Sequence, residues 1–259
     1  MPTLLLPPRF TSDSIRLWQA CVAARWDTLR LDRWRAPEGL DPAETVVYGG
    51  YFIALANDLG ISLLVPPLDW LARLPESLTR RRIRFMTLAE ARTLPDRAFY
   101  KPSDDKCFLA KVYDRGAQLP PPGELPDDVP VLISDIVTWE LEFRCFILEG
   151  KVVTLSPYLR NHERLETAEG EFPATDSELA AARQFADHVA AAAAPTLPPG
   201  VVIDIGLIQN RGWAVIEANQ AWGAGIYGCD PAAILPVLRR VCLPTQTLTN
   251  SDRPWAADT

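Results

Sequence analysis

The chain has 259 residues, 48% of them hydrophobic, and a formal net charge of −7. This length and composition allow one large or two modest folded domains, and the acidic balance disfavours binding to nucleic acid or to an anionic membrane. No apolar run approaches membrane-spanning length, the first ten residues lack the basic region of a signal peptide, and the five cysteines form no CxxC pairs. We therefore expect a cytoplasmic protein with reduced thiols and no zinc site.

The first part of the chain predicts a small α/β unit. Residues 3–6 are typical of a short buried strand, and residues 12–29 of a helix capped by Ser12 or Asp13. Residues 45–67 then follow a β-α-β rhythm of apolar run, helix and apolar run.

An arginine-rich segment comes next. Arg82 and Arg84 alternate with Ile83 and Phe85, so a strand here buries two apolar side chains and presents two guanidinium groups. Such runs are most often solvated faces, but Arg82 is also a candidate for contact with phosphate.

Two lysines bracket the following polar loop. Lys101 ends a predicted strand, residues 103–106 form a loop that ends in Lys106, and a second strand is predicted at 107–114. A flexible ammonium group neutralises phosphate oxygens, while loop amides add hydrogen-bond donors. The segment therefore suits a phosphate site, with an ordinary charged hairpin turn as the alternative.

A proline-rich acidic connector, residues 120–130, leads into a long predicted hairpin. Glu142 and Arg144 lie two residues apart on its first strand, and hence on one face. Arg160, at the far end of the partner strand, would bring a second guanidinium group to the same surface. A planar bidentate donor suits phosphate or carboxylate, and simple Glu–Arg pairing across the strands is the alternative.

The C-terminal part combines packing helices with one polar hairpin. Residues 176–194 are Ala-rich and predict a packing helix, residues 231–241 predict a final helix, and residues 244–259 carry no strong pattern. Between the helices, residues 201–230 contain two apolar runs around a turn at 210–212, which is typical of paired antiparallel strands.

Three oxygen-bearing residues interrupt these two apolar runs. Asp204 lies in the first run, and Glu217 and Asn219 lie two apart in the second, so the latter two share a face. A two-residue loop places Asp204 on that face too, opposite Glu217 or Asn219, whereas a three-residue loop does not unless a bulge at Gly212 restores the pleat. Together these donors suit Mg²⁺, which prefers oxygen and substrate phosphates; a solvated hairpin face is the alternative.

The order of these motifs resembles the ATP-grasp superfamily: a Lys-Pro strand, a Glu-x-Arg strand, and an Asp followed downstream by Glu-x-Asn. More narrowly, it is similar to the clade of small ATP-grasp proteins defined by two arginines and a lysine. The resemblance implies an α+β fold in which two α+β subdomains clasp a nucleotide after a small α/β N-terminal domain. Its expected divisions are an N-terminal domain at 1–84, an ATP-grasp domain at 85–243 with a nucleotide subdomain at 85–137 and a metal and phosphate subdomain at 138–243, and a tail at 244–259.

The resemblance also implies roles at the phosphate end of the site. Mg²⁺ would bridge the phosphates of ATP to the positions Asp204, Glu217 and Asn219. Lys101 would contact phosphate. Arg144 and Arg160 would be the paired arginines that stabilise charge on the transferring phosphoryl group or on an acyl phosphate.

The nucleoside end of the site is implied in the same way. The linker formed by Asp135, Ile136 and Val137 would meet adenine through backbone groups. Glu140 or Glu142 would take the ribose or organise the site.

The implied activity is ATP-dependent carboxylate–amine ligation. A substrate carboxylate attacks the γ-phosphate of ATP, and an amine then captures the acyl phosphate. The expected substrates are an amino acid or a peptide that supplies the carboxylate and an amine acceptor, with Trp222 and Tyr227 beside the acceptor, in a monomer or a homodimer. Two other functions suit the same cleft: a kinase for a small acceptor, and a non-catalytic ATP-binding module.

Overall fold

The computed structural model describes residues 1–103 and 106–257. Its strands, numbered in chain order, are β1 Thr3–Leu6, β2 Asp27–Arg30, β3 Thr45–Val47, β4 Ile61–Leu63, β5 Ile83–Thr87, β6 Ala98–Pro102, β7 Lys111–Tyr113, β8 Pro130–Ser134, β9 Trp139–Leu148, β10 Lys151–Arg160, β11 Glu163–Arg164, β12 Gly200–Ile208, β13 Gly212–Asn219 and β14 Cys242–Pro244. Its α-helices are α1 Ser12–Ala24, α2 Trp70–Arg73, α3 Glu76–Thr79, α4 Leu88–Arg92, α5 Asp176–Ala193 and α6 Pro231–Val241. The part of the chain described contains no helix long and apolar enough to cross a membrane.

The N-terminal sheet is parallel, with β1 between β2 and β3. The predicted strand at 3–6 is confirmed, because its leucines are almost fully buried. The predicted helix is shorter than expected: it ends at Ala24, where Arg25 adopts a left-handed conformation, and β2 follows. Thr11 rather than Ser12 or Asp13 caps this helix, since the Thr11 hydroxyl accepts the backbone N–H of Ser14 at 3.1 Å.

The C-terminal segment packs against this N-terminal region. β14 pairs antiparallel with β4, and the backbone N–H of Ala257 donates to Leu63 at 2.9 Å. The apolar side chains of α6 share one core with the leucines of β1. The tail therefore has a defined place in the fold that its sequence pattern does not indicate, and the domain limits given above stay a prediction.

A four-stranded antiparallel sheet, ordered β5-β8-β6-β7, carries the first lysine of the predicted phosphate segment. The second predicted strand is confined to β7, three residues long, instead of spanning 107–114. The middle of the intervening loop, residues 104–105, lies outside the residues that the structure describes.

The central sheet is antiparallel, with the order β11-β10-β9-β12-β13. Helix α5 covers one face, where its alanines pack against Phe143, Ile203 and Val215. Helix α6 packs on the other face with Phe146 and Val202. Because alternate residues of a strand point to opposite faces, the even-numbered polar residues of β9 and β12 lie on the α6 side of the sheet.

A bulge sets the register between β12 and β13. Near the turn Ile208 pairs with Gly212, which leaves a three-residue loop, whereas farther along Asp204 pairs with Glu217. The extra residue is Ile216, since the pairing passes from Val215 directly to Glu217. Asp204 therefore shares a face with Glu217, but through a bulge at Ile216 and not through a two-residue turn or a bulge at Gly212.

Candidate active site

A buried ion pair lies at the centre of the main sheet. Asp204 is 1% exposed, and Arg144 pairs with it from β9. The guanidinium group donates from Nε to Oδ1 at 2.9 Å and from Nη2 to Oδ2 at 2.7 Å, a bidentate arrangement. Burial raises the pKa of the Asp204 carboxyl, and the charge and hydrogen bonds of Arg144 act in the opposite direction.

A second pair joins the two sheets beside it. Lys101 on β6 donates from Nζ to Glu217 Oε2 at 2.5 Å. Asn219 donates from Nδ2 to Glu217 Oε1 at 3.0 Å and to Asp204 Oδ2 at 3.3 Å. Burial raises the pKa of Glu217, but the charge of Lys101 and the hydrogen bonds outweigh it, so this pKa falls to about 2. We call Lys101, Arg144, Asp204, Glu217 and Asn219 the active-site cluster.

Aromatic rings hold the Arg144 guanidinium group from the other side. Tyr158 and Tyr227 stack with ring centroids 4.7 Å apart, and the guanidinium carbon of Arg144 lies 4.8 Å from the Tyr227 centroid. Arg144 Nη1 donates to the carbonyl oxygen of Gly225 at 3.0 Å. The Tyr158 hydroxyl donates to Glu142 Oε2 at 2.7 Å. Burial raises the pKa of Glu142, while this hydrogen bond lowers it.

A cleft of about 1260 Å³ opens beside the cluster. The predicted site residues on its wall are Lys101, Lys106, Arg144, Glu217 and Asn219. Trp222 and Tyr227 also line it, as do apolar side chains from the segment before α2, from the 3₁₀ turn Gly50–Leu55 and from the C-terminal tail. The cleft is therefore charged at one end and largely apolar along the rest of its wall.

Other candidates lie away from this wall. The Arg82 side chain is 79% exposed and pairs with Asp135, with Nη2 and Oδ1 3.3 Å apart. Ile136 and Val137 follow Asp135 after the end of β8, and Glu140 is the second residue of β9. Within residues 1–103 and 106–257, none of these five lines the cleft. Their assignments to phosphate, adenine and ribose stay predictions.

Arg160 does not join Arg144. The pairing of β9 with β10 shifts between Pro157 and Leu159, so Arg160 is paired with Leu141 on the α5 side of the sheet. There its guanidinium group forms a bidentate pair with Glu178, at 2.7 and 3.1 Å. The expectation of two arginines on one surface was wrong because strand alternation alone does not reveal this bulge.

Two further contributions were missed in the sequence. Asp13, at the start of α1, accepts the Tyr48 hydroxyl and the backbone N–H of Ile226, each at 3.0 Å, and so fixes the loop that carries Gly225. Arg81 is 5% exposed although it lies in a run of arginines that is typical of a solvated face. Neither position has a sequence signal, because both depend on contacts more than 130 residues away in the chain.

The donor set suits a hard cation. Among the described residues, no three His, Cys, Asp or Glu side chains are grouped so as to hold a metal ion. The cluster instead offers two carboxylates and one amide, all oxygen donors on one face. Mg²⁺ is commonly held by one or two carboxylates together with water and substrate phosphates, so these residues fit it.

One family model matches residues 78–237: the ATP-grasp domain, family 2 of the clade named for two arginines and a lysine. The chain belongs to this family, which confirms the resemblance seen in its motifs. No protein of curated function matches the chain by sequence.

Solved structures share the ATP-grasp fold over most of this chain. A RimK domain ATP-grasp protein from Sphaerobacter thermophilus is 13% identical with a TM-score of 0.52, covering 93% of this chain and 99% of its own. The D-cycloserine synthetase DcsG is 13% identical with a TM-score of 0.54, covering 92% and 98%. N5-carboxyaminoimidazole synthetase from Staphylococcus aureus is 10% identical with a TM-score of 0.51, covering 94% and 78%. At these identities the likeness shows the fold, which confirms the α+β ATP-grasp prediction.

Proposed function

We propose that this ATP-grasp protein is an ATP-dependent ligase that joins a carboxylate to an amine through an acyl phosphate. The observation that carries the proposal is the active-site cluster, in which two cations, two carboxylates and an amide meet at one end of a large cleft. Catalysis of phosphoryl transfer depends mainly on positioning and charge, and this arrangement provides both. Synthetases among the solved structures with this fold support the same reaction class.

Asp204, Glu217 and Asn219 would hold Mg²⁺. When bound, Mg-ATP supplies the transferable phosphoryl group and a cation that offsets its charge. Lys101 neutralises Glu217 in the structure, and phosphate oxygens bound by Lys101 would release Glu217 Oε2. The Asn219 amide would present its oxygen, which requires the opposite orientation of this group.

Arg144 would stabilise charge on the phosphoryl group in transfer. Asp204, the Gly225 carbonyl and the ring of Tyr227 fix its guanidinium group before substrate arrives, which is the condition for electrostatic preorganisation. The substrate carboxylate attacks the γ-phosphorus and ADP leaves; the amine then attacks the acyl carbon, phosphate leaves, and the proton of the amine passes to solvent. The protein need not supply a nucleophile.

The remaining assignments follow the family pattern. Lys106 on the cleft wall would contact phosphate, and Arg82 would do so only after its exposed pair with Asp135 opens. The backbone of Asp135, Ile136 and Val137 would meet adenine, and Glu140 the ribose. Glu142 would organise the site through Tyr158. Arg160 has no place in the proposed site because it lies on the α5 side of the sheet.

The proposed substrates are an amino acid or peptide that supplies the carboxylate and an amine acceptor, bound by a monomer or a homodimer. The apolar wall, with Ile53, Val65 and Trp222, leaves room for a substrate body beside the charged end. Released ADP, measured over pairs of carboxylates and amines, would identify both partners.

The test compares the double variant Glu217→Ala/Asn219→Ala with a control, Glu124→Ala/Asn250→Ala, which makes the same changes at exposed positions. We expect the first to lose ADP release while staying folded, and the control to keep it. Mass spectrometry of products should show an amide. A phosphorylated acceptor would indicate a kinase, and ATP binding without turnover over the full substrate screen would indicate a binding module; either outcome contradicts the ligase.

A further inference from the structure

The bulge at Ile216 decides which side chains of β13 reach the active-site cluster. Before the bulge, Trp213 and Val215 pack into the core beneath α5. After it, Ala218 takes that side, and Glu217 and Asn219 turn towards the cluster. A strand without the extra residue would reverse these last positions, because a shift of one residue moves every side chain to the opposite face.

A buried arginine binds the backbone of this bulge. Arg81 donates from Nη1 to the carbonyl oxygen of Val215 at 2.8 Å and from Nη2 to that of Ile216 at 3.2 Å. Nη1 also donates to the Thr79 carbonyl at 2.9 Å, and the guanidinium carbon lies 5.0 Å from the ring centroid of Trp139. These carbonyls of Val215 and Ile216 belong to the two residues at which the strand pairing changes.

The side chain of Ile216 is accommodated at the same place. A Cβ atom added at Gly206 would lie 3.0 Å from Ile216 Cδ1 and 2.7 Å from Trp139 Cε3, so the missing side chain leaves the room that the bulge needs. Burial lowers the pKa of Arg81 to about 10, against the opposing charges of Glu217 and Asp135. A buried cation that binds backbone carbonyls is costly to keep, which favours a specific role over a solvated one.

We propose that Arg81 is a positioning residue that holds the bulge at Ile216, and thereby keeps Glu217 and Asn219 beside Asp204 as a competent site for a divalent cation. The cation-binding part rests on the proposed function. The backbone part does not, because it concerns the folded chain alone.

The test compares Arg81→Met and Arg81→Lys with Arg80→Met, a change at an exposed neighbour in the same arginine run. Hydrogen exchange of backbone amides at 213–219 is measured first in the protein alone. We expect exchange roughly tenfold faster in Arg81→Met, because two backbone carbonyls lose a charged donor, an intermediate rate in Arg81→Lys, and the wild-type rate in Arg80→Met.

Titration of Mg²⁺ into protein and ADP gives the second readout. We expect about 10- to 100-fold weaker Mg²⁺ binding in Arg81→Met, as for other residues that orient metal ligands, with partial recovery in Arg81→Lys. Equal exchange and equal Mg²⁺ affinity in Arg81→Met and Arg80→Met would overturn the inference. If wild type fails to bind Mg-ADP, the proposed function fails, and the exchange rates still decide whether Arg81 holds the bulge. If Arg81→Met does not fold, unchanged exchange in Arg81→Lys overturns it.

Discussion

Two arginines on neighbouring strands form nearly the same ion pair in different surroundings. Arg144 meets Asp204 and Arg160 meets Glu178, each through a bidentate contact whose shortest distance is 2.7 Å. The side chains of the first pair are 10% and 1% exposed, and those of the second are 37% and 25% exposed. The chemistry is shared, and access of water distinguishes the two.

This difference separates a functional arrangement from a structural one. Around Arg144, removal of water strengthens the electrostatic interactions and fixes one orientation of the guanidinium group. Around Arg160, water competes, and Glu178 also closes the capping box of α5 with Thr175. The first pair can present a preorganised cation to a substrate, whereas the second stabilises the start of a helix.

The largest effect is expected for Arg144→Met. The change leaves the Asp204 carboxylate buried without its counter-charge, so we expect the free energy of unfolding to fall by about 3–5 kcal/mol. Urea unfolding at pH 7 measures the loss, with Arg160→Met as the matched control. Similar losses in the two variants would mean that burial does not separate the two pairs.

A smaller loss, about 2 kcal/mol, is expected for Lys101→Met, because Glu217 keeps only the hydrogen bond from Asn219. Glu217 has a folded pKa of about 2, below its ordinary 4.5. Its stabilisation is therefore complete above pH 4.5 and is lost as the pH falls through about 2. Thermal unfolding between pH 7 and pH 2.5 should show wild type and variant converging in acid, with exposed Lys151→Met as control. A difference independent of pH would refute the pairing.

For Tyr158→Phe we expect a loss of about 1 kcal/mol at pH 7, because the buried Glu142 carboxylate loses its donor. The pKa of Glu142 is already raised by burial, and losing the hydrogen bond raises it further. A raised folded pKa means that the variant's penalty is greatest at neutral pH and diminishes below the ordinary pKa of 4.5. NMR titration of Glu142 checks the direction. An unchanged or lower pKa would argue against this hydrogen bond, and Tyr51→Phe, at an exposed tyrosine, is the control.

The smallest effect is expected for Arg160→Met, about 0–1 kcal/mol at low salt. The pKa of Glu178, now about 2 because of its hydrogen bonds with Arg160 and Thr175, should rise. Because exposed charges are screened, the stability difference should shrink in 1 M salt, roughly to the limit set by a Debye length of about 3 Å. A loss as large as that of Arg144→Met, or one that does not depend on salt, would contradict the comparison.

The metal end of the site was predictable because its signal is local. The two-residue spacing of Glu217 and Asn219 fixes their common face, and the paired apolar runs fix β12 and β13 as neighbours. Even so, the register that places Asp204 opposite Glu217 arises from a bulge at Ile216, which no glycine or turn residue marks in the sequence.

The rest depends on contacts between distant parts of the chain. Arg160 was misplaced because a bulge beside Tyr158 reverses the face of the strand. Arg81 is buried because β13 offers it carbonyl acceptors, and the tail is ordered because β4 has a free edge for it. Such features follow from tertiary packing, whereas the fold itself follows from the order of strands and motifs.

The most direct test of the account is a crystal structure of wild-type protein with ADP and Mn²⁺, which replaces Mg²⁺ and is located by its anomalous scattering. The account predicts Mn²⁺ within coordination distance of Glu217 and Asn219, next to Asp204, with Lys101 on a phosphate oxygen instead of on Glu217. Nucleotide and metal bound elsewhere, with the Lys101–Glu217 pair intact, would contradict it.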